Sequence, residues 1–402
     1  MRDIPRLYQS MLTKHFAEHR QMAFVSGARQ VGKTTTCRAF ATSTASYFNW
    51  DNQDDRRILL RGPQEIAQRL QLDKLAAEPP TIIFDELHKY SKWKSLLKGF
   101  FDTYSRQLRI VVTGSSRLDV YRRGGDSMMG RYLLYRMHPF SIAELGPKRV
   151  VDAELTPPSK PTVDTWNALW TYGGFPEPFV RRDARFFRRW RDLRLQQLVR
   201  EDIRDLTRIQ ELSQIESLVR ILAEQSASTF VLSSLAREIN TSVDTLRRWS
   251  QTLCAMHYGF LVRPWHKSVA KTLRKEPKWY LTDWSSIADP GQRAETFIAC
   301  HLLKAVEGWQ DLGLGNYELR YLRDKEKREV DFLVVRDRKP WFLVEAKLAE
   351  RDLSPALRHF QQQIGAPHAF QAVVQMDYVG ADCFERTDPC VVPAQTLLSQ
   401  LL

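Results

Sequence analysis

Along the first 140 residues, short apolar runs alternate with amphipathic ones. Met22 to Val25 is an apolar run that stops at a glycine turn, and Thr34 to Phe40 continues as a helix. Tyr47 to Trp50, Thr81 to Phe84 and Arg109 to Thr113 are further runs of strand length, with helical stretches such as Lys92 to Tyr104 between them. Strands that are apolar throughout and alternate with helices predict a parallel sheet covered on both faces, hence an α/β domain.

The pattern changes after residue 146. Gly146 to Val163 carries Pro147, Pro157, Pro158 and Pro161 and few apolar residues, which reads as a linker. Residues 164–225 have helical spacing and are strongly basic. Residues 228–264 read as a helix-turn-helix unit. Strands return at Tyr317–Leu322, Val330–Val335 and Trp341–Ala346. The expected organisation is a P-loop core over 1–146, a linker and helical lid over 147–210, a winged-helix module over 211–288 and a further α/β domain over 289–402. There is no internal repeat and no low-complexity tract.

Composition narrows the class. The chain has 402 residues, 43% of them apolar and 27% charged, a soluble globular balance. Lys and Arg number 60 against 47 Asp and Glu, a net charge of +13 that suits a polyanionic partner, nucleic acid first. The five cysteines form no C-x-x-C pair and read as free thiols in a reducing compartment. The N-terminus lacks an apolar signal core, and no apolar stretch reaches the ~18 residues a span needs. A cytoplasmic protein without a membrane partner is expected.

Gly27-Ala-Arg-Gln-Val-Gly32-Lys33-Thr34 matches the phosphate-binding pattern G-x-x-x-x-G-K-[ST], and it stands between an apolar strand and a helix. Glycines let backbone N–H groups curl around phosphates at a helix N-terminus. Gly27, Gln30, Val31, Gly32, Lys33, Thr34 and Thr35 are the expected ATP contacts. Lys33 would reach the β- and γ-phosphates, and Thr34 would hold Mg²⁺. Ile82-Ile83-Phe84-Asp85-Glu86 is an apolar strand ending in two carboxylates. Asp85 would order the metal's water shell and Glu86 would polarise the attacking water. Val112-Thr113-Gly114-Ser115-Ser116 ends a third strand in small polar residues, and Ser115 is chosen over Thr113 and Ser116 to sense the γ-phosphate. Arg131 follows Gly130 and is read at the end of a helix, away from its own nucleotide. There it would stabilise transition-state charge in a neighbouring subunit, ahead of Arg117, Arg122 and Arg123.

The P-loop, the Ile82–Lys89 strand, Val112–Ser116 and the run from Gly130-Arg131 to Pro139-Phe-Ser-Ile-Ala-Glu-Leu145 together resemble the bacterial and archaeal AAA+ ATPases of the AAA_14 type that carry a DUF4143 C-terminal region. The resemblance extends through Tyr172-Gly-Gly-Phe-Pro176. It implies assembly into a ring, a hexamer, with ATP bound between subunits.

Within 228–264, Leu232, Leu235, Ala236 and Ile239 share one helical face, Thr241 and Ser242 supply a turn and a cap, and Leu246, Trp249 and Leu253 point inward from a second helix. Thr245, Arg247 and Arg248 point outward. Phe260–Val262 and Trp279–Leu281 would form a hairpin wing around a basic loop holding Lys267, Lys271, Arg274 and Lys275. This unit either reads DNA through that second helix or serves protein packing.

Asp331 and the Glu345-Ala346-Lys347 triplet lie on consecutive apolar strands. Asp331 and Glu345 are candidate ligands for a divalent metal, Lys347 would orient water, and Glu295 on the preceding helix could complete the set. The pattern is similar to the PD-(D/E)-x-K nuclease fold, with Val330 where proline usually precedes the first Asp; Gln362 is a further helix contact. The competing reading is structural ion pairing with Lys347, or a fold kept for binding without cutting. Between Arg181 and Arg204, nine arginines interleave with Phe186, Phe187 and Trp190 and with four acids, so this helix either binds phosphates or packs as a lid. The expected function is a ring-forming, ATP-driven DNA motor; an ATP-gated Mg²⁺-dependent nuclease and an ATP-dependent switch for protein partners are the alternatives.

Overall fold

The apolar runs of the N-terminal part do form strands. The computed structural model describes residues 4–40, 46–75, 78–114, 128–146, 152–199, 212–266 and 276–402. It divides into two compact units, residues 1–138 and 139–402.

In the first unit the described elements are α1 (Leu7–Glu18), β1 (Met22–Gly27), α2 (Lys33–Phe40), β2 (Ser46–Asn49), α3 (Gln53–Arg61), α4 (Pro63–Arg69), β3 (Thr81–Asp85), α5 (Trp93–Tyr104), β4 (Arg109–Gly114) and β5 (Tyr132–Met137). The five strands are ordered β2-β3-β4-β1-β5, and every pairing is parallel. Every residue of β1 and β3 is buried, the signature of a sheet covered on both faces. Phe24, Phe84, Leu97 and Phe100 are among the core residues, and burying each such side chain contributes about 1.5–3 kcal/mol. The parallel register brings the C-terminal ends of β1, β3 and β4 to one edge, where ligands of open α/β sheets bind.

The second unit holds α6 (Val163–Tyr172), α7 (Pro176–Arg181), α8 (Ala184–Gln197), α9 (Leu212–Glu224), β6 (Ser228–Thr229), α10 (Leu232–Glu238), α11 (Val243–Ala255), β7 (Gly259–Pro264), β8 (Lys278–Leu281), α12 (Pro290–Asp311), β9 (Tyr317–Arg323), β10 (Glu329–Arg336), β11 (Lys339–Lys347), α13 (Pro355–Ile364), β12 (His368–Val373), β13 (Cys390–Pro393) and α14 (Ala394–Ser399). Among the described residues, eight strands run β13-β12-β11-β10-β9-β7-β8-β6 in one sheet. The expected wing is therefore not separate. Strand β7 pairs with β8 on one side and, in parallel, with β9 on the other. The wing and the C-terminal strands, divided at 288/289 in the sequence reading, share one ladder.

The segment 139–146, read from sequence as the end of the P-loop core, packs within the second unit. The His301 ring accepts the Ile142 N–H at 3.1 Å. Lys304 donates to the Pro139 carbonyl at 3.0 Å and pairs with the fully buried Glu144. The Tyr172–Pro176 motif has its explanation here too: Phe140 N–H donates to the Gly174 carbonyl, and a Cβ on Gly174 would lie 2.6 Å from the Phe140 carbonyl oxygen. The second glycine is a packing joint.

Candidate functional site

The phosphate loop joins β1 to α2. Gly27 has no room for a side chain, since a Cβ would sit 2.4 Å from the Met137 carbonyl oxygen at the end of β5. Gln30 and Gly32 have φ of 61° and 99°, in the left-handed region. Such residues turn successive N–H groups into a concavity that favours anions. Lys33 is buried and donates to the carbonyls of Gly27 and Ala28 at 2.9 and 2.8 Å. Burial lowers its pKa, while Glu86 and Asp85 oppose the shift. The loop is braced from behind by Arg6, whose buried guanidinium donates to the carbonyls of Val31 at 2.5 Å and His138 at 2.6 Å. Thr35, on the first turn of α2, is exposed.

Asp85 ends β3 directly opposite Thr113 of β4. Its Oδ2 accepts from the Thr34 hydroxyl at 2.8 Å and from the Tyr47 hydroxyl at 2.5 Å, and its Oδ1 accepts from Thr113. The P-loop threonine and the strand-end carboxylate are thus brought together from positions 51 residues apart. Glu86 has φ 55°, a left-handed conformation that costs a non-glycine residue about 1 kcal/mol or more. Its N–H is held by the Thr113 carbonyl at 3.2 Å, and its carboxylate lies 3.6 Å from both His88 Nε2 and Lys89 Nζ. The strained turn sets Glu86 beside Asp85 but off the strand.

The hydroxyl that reaches Asp85 from β4 is Thr113, a residue passed over in favour of Ser115, which lies outside the described residues together with Ser116, Arg117, Arg122 and Arg123. Tyr47 and Arg6 had no motif to betray them. Tyr47 comes from the next strand, and Arg38 covers its ring at 3.8 Å; burial and Asp85 raise its pKa. Arg131 is not on a helix end: it stands just before β5, whose first residue pairs with Met22, at the opposite end of the strands from the P-loop. Its guanidinium makes a forked pair with Asp102 of α5 at 2.8 and 3.0 Å.

The residues fit Mg²⁺–ATP: a glycine-shaped cradle, a buried lysine, and a hydroxyl–carboxylate pair suited to a hard cation.

In the second unit α10 and α11 form the expected helix-turn-helix. Leu235, Ala236, Ile239, Leu246, Trp249 and Leu253 share one buried cluster. The Ser242 hydroxyl caps α11 by accepting from Thr245 N–H at 3.0 Å, a contact that contributes about 1 kcal/mol. Arg247 and Arg248 are exposed on that helix, with Arg247 held by Asp244. Lys267, Lys271, Arg274 and Lys275 lie outside the described residues. On α8, Arg185, Arg188 and Arg189 are exposed, whereas Arg194 covers the Phe175 ring at 3.8 Å and sits 3.5 Å from Asp283. One arginine of the basic helix is therefore a packing element.

The C-terminal carboxylates converge, but around a lysine. Lys278 of β8 places Nζ 2.9 Å from Glu295, 2.5 Å from Glu329 and 3.2 Å from Asp331. Asp331 lies where the β9–β10 register shifts, and its Oδ2 accepts the Ala346 N–H at 3.0 Å. Tyr280 donates to Glu295 at 2.7 Å. Lys347 pairs with Glu345 at 3.1 Å, as the ion-pair reading held, and Glu345 Oε2 is buried without a partner. Burial and the charge of Asp331 push Glu295 and Glu345 each up to about 7. Burial alone would lower the Lys278 pKa, but the three carboxylates outweigh it and raise it. Among the described residues no group of three or more His, Cys, Asp or Glu side chains is arranged to hold a metal ion. Nor is any helix among them long and apolar enough to cross a membrane.

Comparison with known proteins agrees with the order of these parts. An AAA domain family model matches residues 19–146, a domain of unknown function (DUF8612) matches 163–288 and a second (DUF4143) matches 290–395. Uncharacterised proteins of Mycobacterium bovis and Mycobacterium tuberculosis are each 24% identical over 265 residues, covering 65% of this chain and 54% of theirs. The chain therefore spans about half the length of the curated relatives it matches. Among solved structures, a point variant of Thermotoga maritima RuvB aligns over 67% of this chain and 93% of its own at 16% identity, with a TM-score of 0.27. A score of that size does not by itself establish a shared architecture.

Proposed function

We propose that this chain, which joins an AAA domain to a DUF4143 domain, hydrolyses ATP and uses the turnover to drive movement on DNA as a ring-forming motor. The observation that carries the ATPase reading is the convergence of Lys33, Thr34, Asp85, Glu86 and Thr113 at the C-terminal edge of the parallel sheet. Lys33 would hold the β- and γ-phosphates from the loop. Thr34 and Asp85 would hold the metal, which when bound supplies charge to neutralise the phosphates. Glu86 would take the proton of the attacking water, and its off-strand position gives it room to do so. Arg131 is proposed to act in trans in a hexamer, after exchanging Asp102 for a neighbour's phosphate.

The DNA part rests on the helix-turn-helix with Arg247 and Arg248 exposed, and on the net charge of +13. Arginines on such a helix fit a major groove, and the surrounding positive charge fits phosphates.

The test is the steady-state ATPase rate with and without forked or four-way DNA. The motor reading expects stimulation of about tenfold or more, absent in Glu86→Gln and weakened in an Arg247→Ala, Arg248→Ala double variant. ATP turnover that ignores DNA sinks the motor and leaves only the ATPase.

A further inference from the structure

We propose that Lys278 is the resident cation of the C-terminal carboxylate cluster, its ammonium taking Asp331 and Glu295, two of the acids that the nuclease-like pattern would offer a divalent metal, and that this cluster works without metal as a latch between the wing and the C-terminal strands. The inference is independent of the motor reading.

An ammonium has three protons and no lone pair. Lys278 Nζ meets three carboxylates, Glu295 at 2.9 Å, Glu329 at 2.5 Å and Asp331 at 3.2 Å, so its hydrogen-bonding capacity is filled. Those acids come from α12 and β10, whereas the lysine comes from β8. One buried charge thus ties three elements together. The side chain is 6% exposed, so water does not screen these pairs as it would on a surface.

The acids are held by other partners as well, which makes them poor ligands. Asp331 Oδ2 is taken by the Ala346 N–H, Glu295 Oε1 also accepts from Tyr280, and Glu345 Oε1 pairs with Lys347. Mg²⁺ needs oxygens at about 2.0–2.1 Å in octahedral geometry. A second cation set among these acids would face the fixed ammonium of Lys278 at close range, and like charges so buried repel strongly. The acids of the nuclease-like pattern are present, but their geometry fits a lysine and not a metal. Glu345 Oε2, buried and without a partner, is the oxygen that would turn to a metal once the lysine is removed.

The experiment is titration of Mn²⁺ into the full nucleotide-free chain by calorimetry, with Asp331→Asn subtracting binding at the P-loop. Wild type is expected to show no Asp331-dependent Mn²⁺ binding. Lys278→Met is expected to gain about one ion per chain, lost again in Lys278→Met, Asp331→Asn. Lys278→Arg, which keeps the charge, is expected to stay folded and to gain none. Asp331-dependent Mn²⁺ binding by wild type would overturn the proposal without reference to any lysine variant. A folded Lys278→Met chain, shown by unchanged circular dichroism, that gains no ion would overturn it as well.

Discussion

Asp85 accepts hydrogen bonds from three hydroxyls, each from a different element. A carboxylate tethered in this way is pre-oriented, and together with Thr34 it would hold a metal. Thr113 fixes one of its two oxygens from β4. Replacing Thr113 by valine keeps the volume and removes the donor. Thr113→Val is expected to slow ATP turnover about tenfold while nucleotide affinity changes less than about threefold, because affinity rests on Lys33 and the loop. Thr113→Ser should restore most of the rate. Equal losses in valine and serine variants would assign the residue to packing alone.

At the scale of elements, α12 shows how one helix serves several ends. Its 22 residues carry Glu295 toward the Lys278 cluster, and His301 and Lys304 toward the 139–146 segment. His301 Nδ1 lies 2.8 Å from the Phe297 carbonyl, which can only accept, so Nδ1 carries the proton and Nε2 accepts from Ile142. The ring is thus neutral by construction, and burial lowers its pKa from 6.5 to about 3. A histidine whose pKa falls on folding binds fewer protons in the native state. Its stabilising share is complete above about pH 6.5 and is lost as the pH drops toward 3. Between pH 6.5 and 4 this amounts to at most about 3 kcal/mol. Urea unfolding of wild type and His301→Gln should therefore converge with falling pH. Parallel curves would show that the ring does not remain neutral in the fold.

At the scale of the whole molecule, the role proposed for Arg131 rests on assembly of the chain with copies of itself. An arginine acting in trans requires an assembly, and in one subunit Arg131 is engaged by Asp102. The two roles make opposite demands. With ATP and Glu86→Gln to trap the bound state, sedimentation velocity is expected to show a species far heavier than the 46.9 kDa chain. Arg131→Ala should then abolish turnover while ATP still binds, whereas Asp102→Ala should turn over at or above the wild-type rate. A chain that stays monomeric with ATP, or an Arg131→Ala variant that hydrolyses normally, would return Arg131 to a structural role as the partner of Asp102 on α5.

The parts decided by local sequence were legible without coordinates. Period and apolar runs set the parallel sheet, because strands covered on both faces must be apolar throughout. The P-loop and the Asp85-Glu86 pair were legible because their chemistry sits in contiguous residues. So was the helix-turn-helix, whose cap and inward faces obey helical spacing. Contacts between distant strands were not legible. Tyr47 and Thr113 reach Asp85 only through strand order and register, and Arg6 reaches the loop only because α1 starts behind it. Lys278, just before the expected wing strand Trp279–Leu281, carried no motif. That it fills the carboxylate cluster was decided by the pairing of β7 with β9, which fuses two expected domains into one sheet and buries the lysine where its charge must be matched.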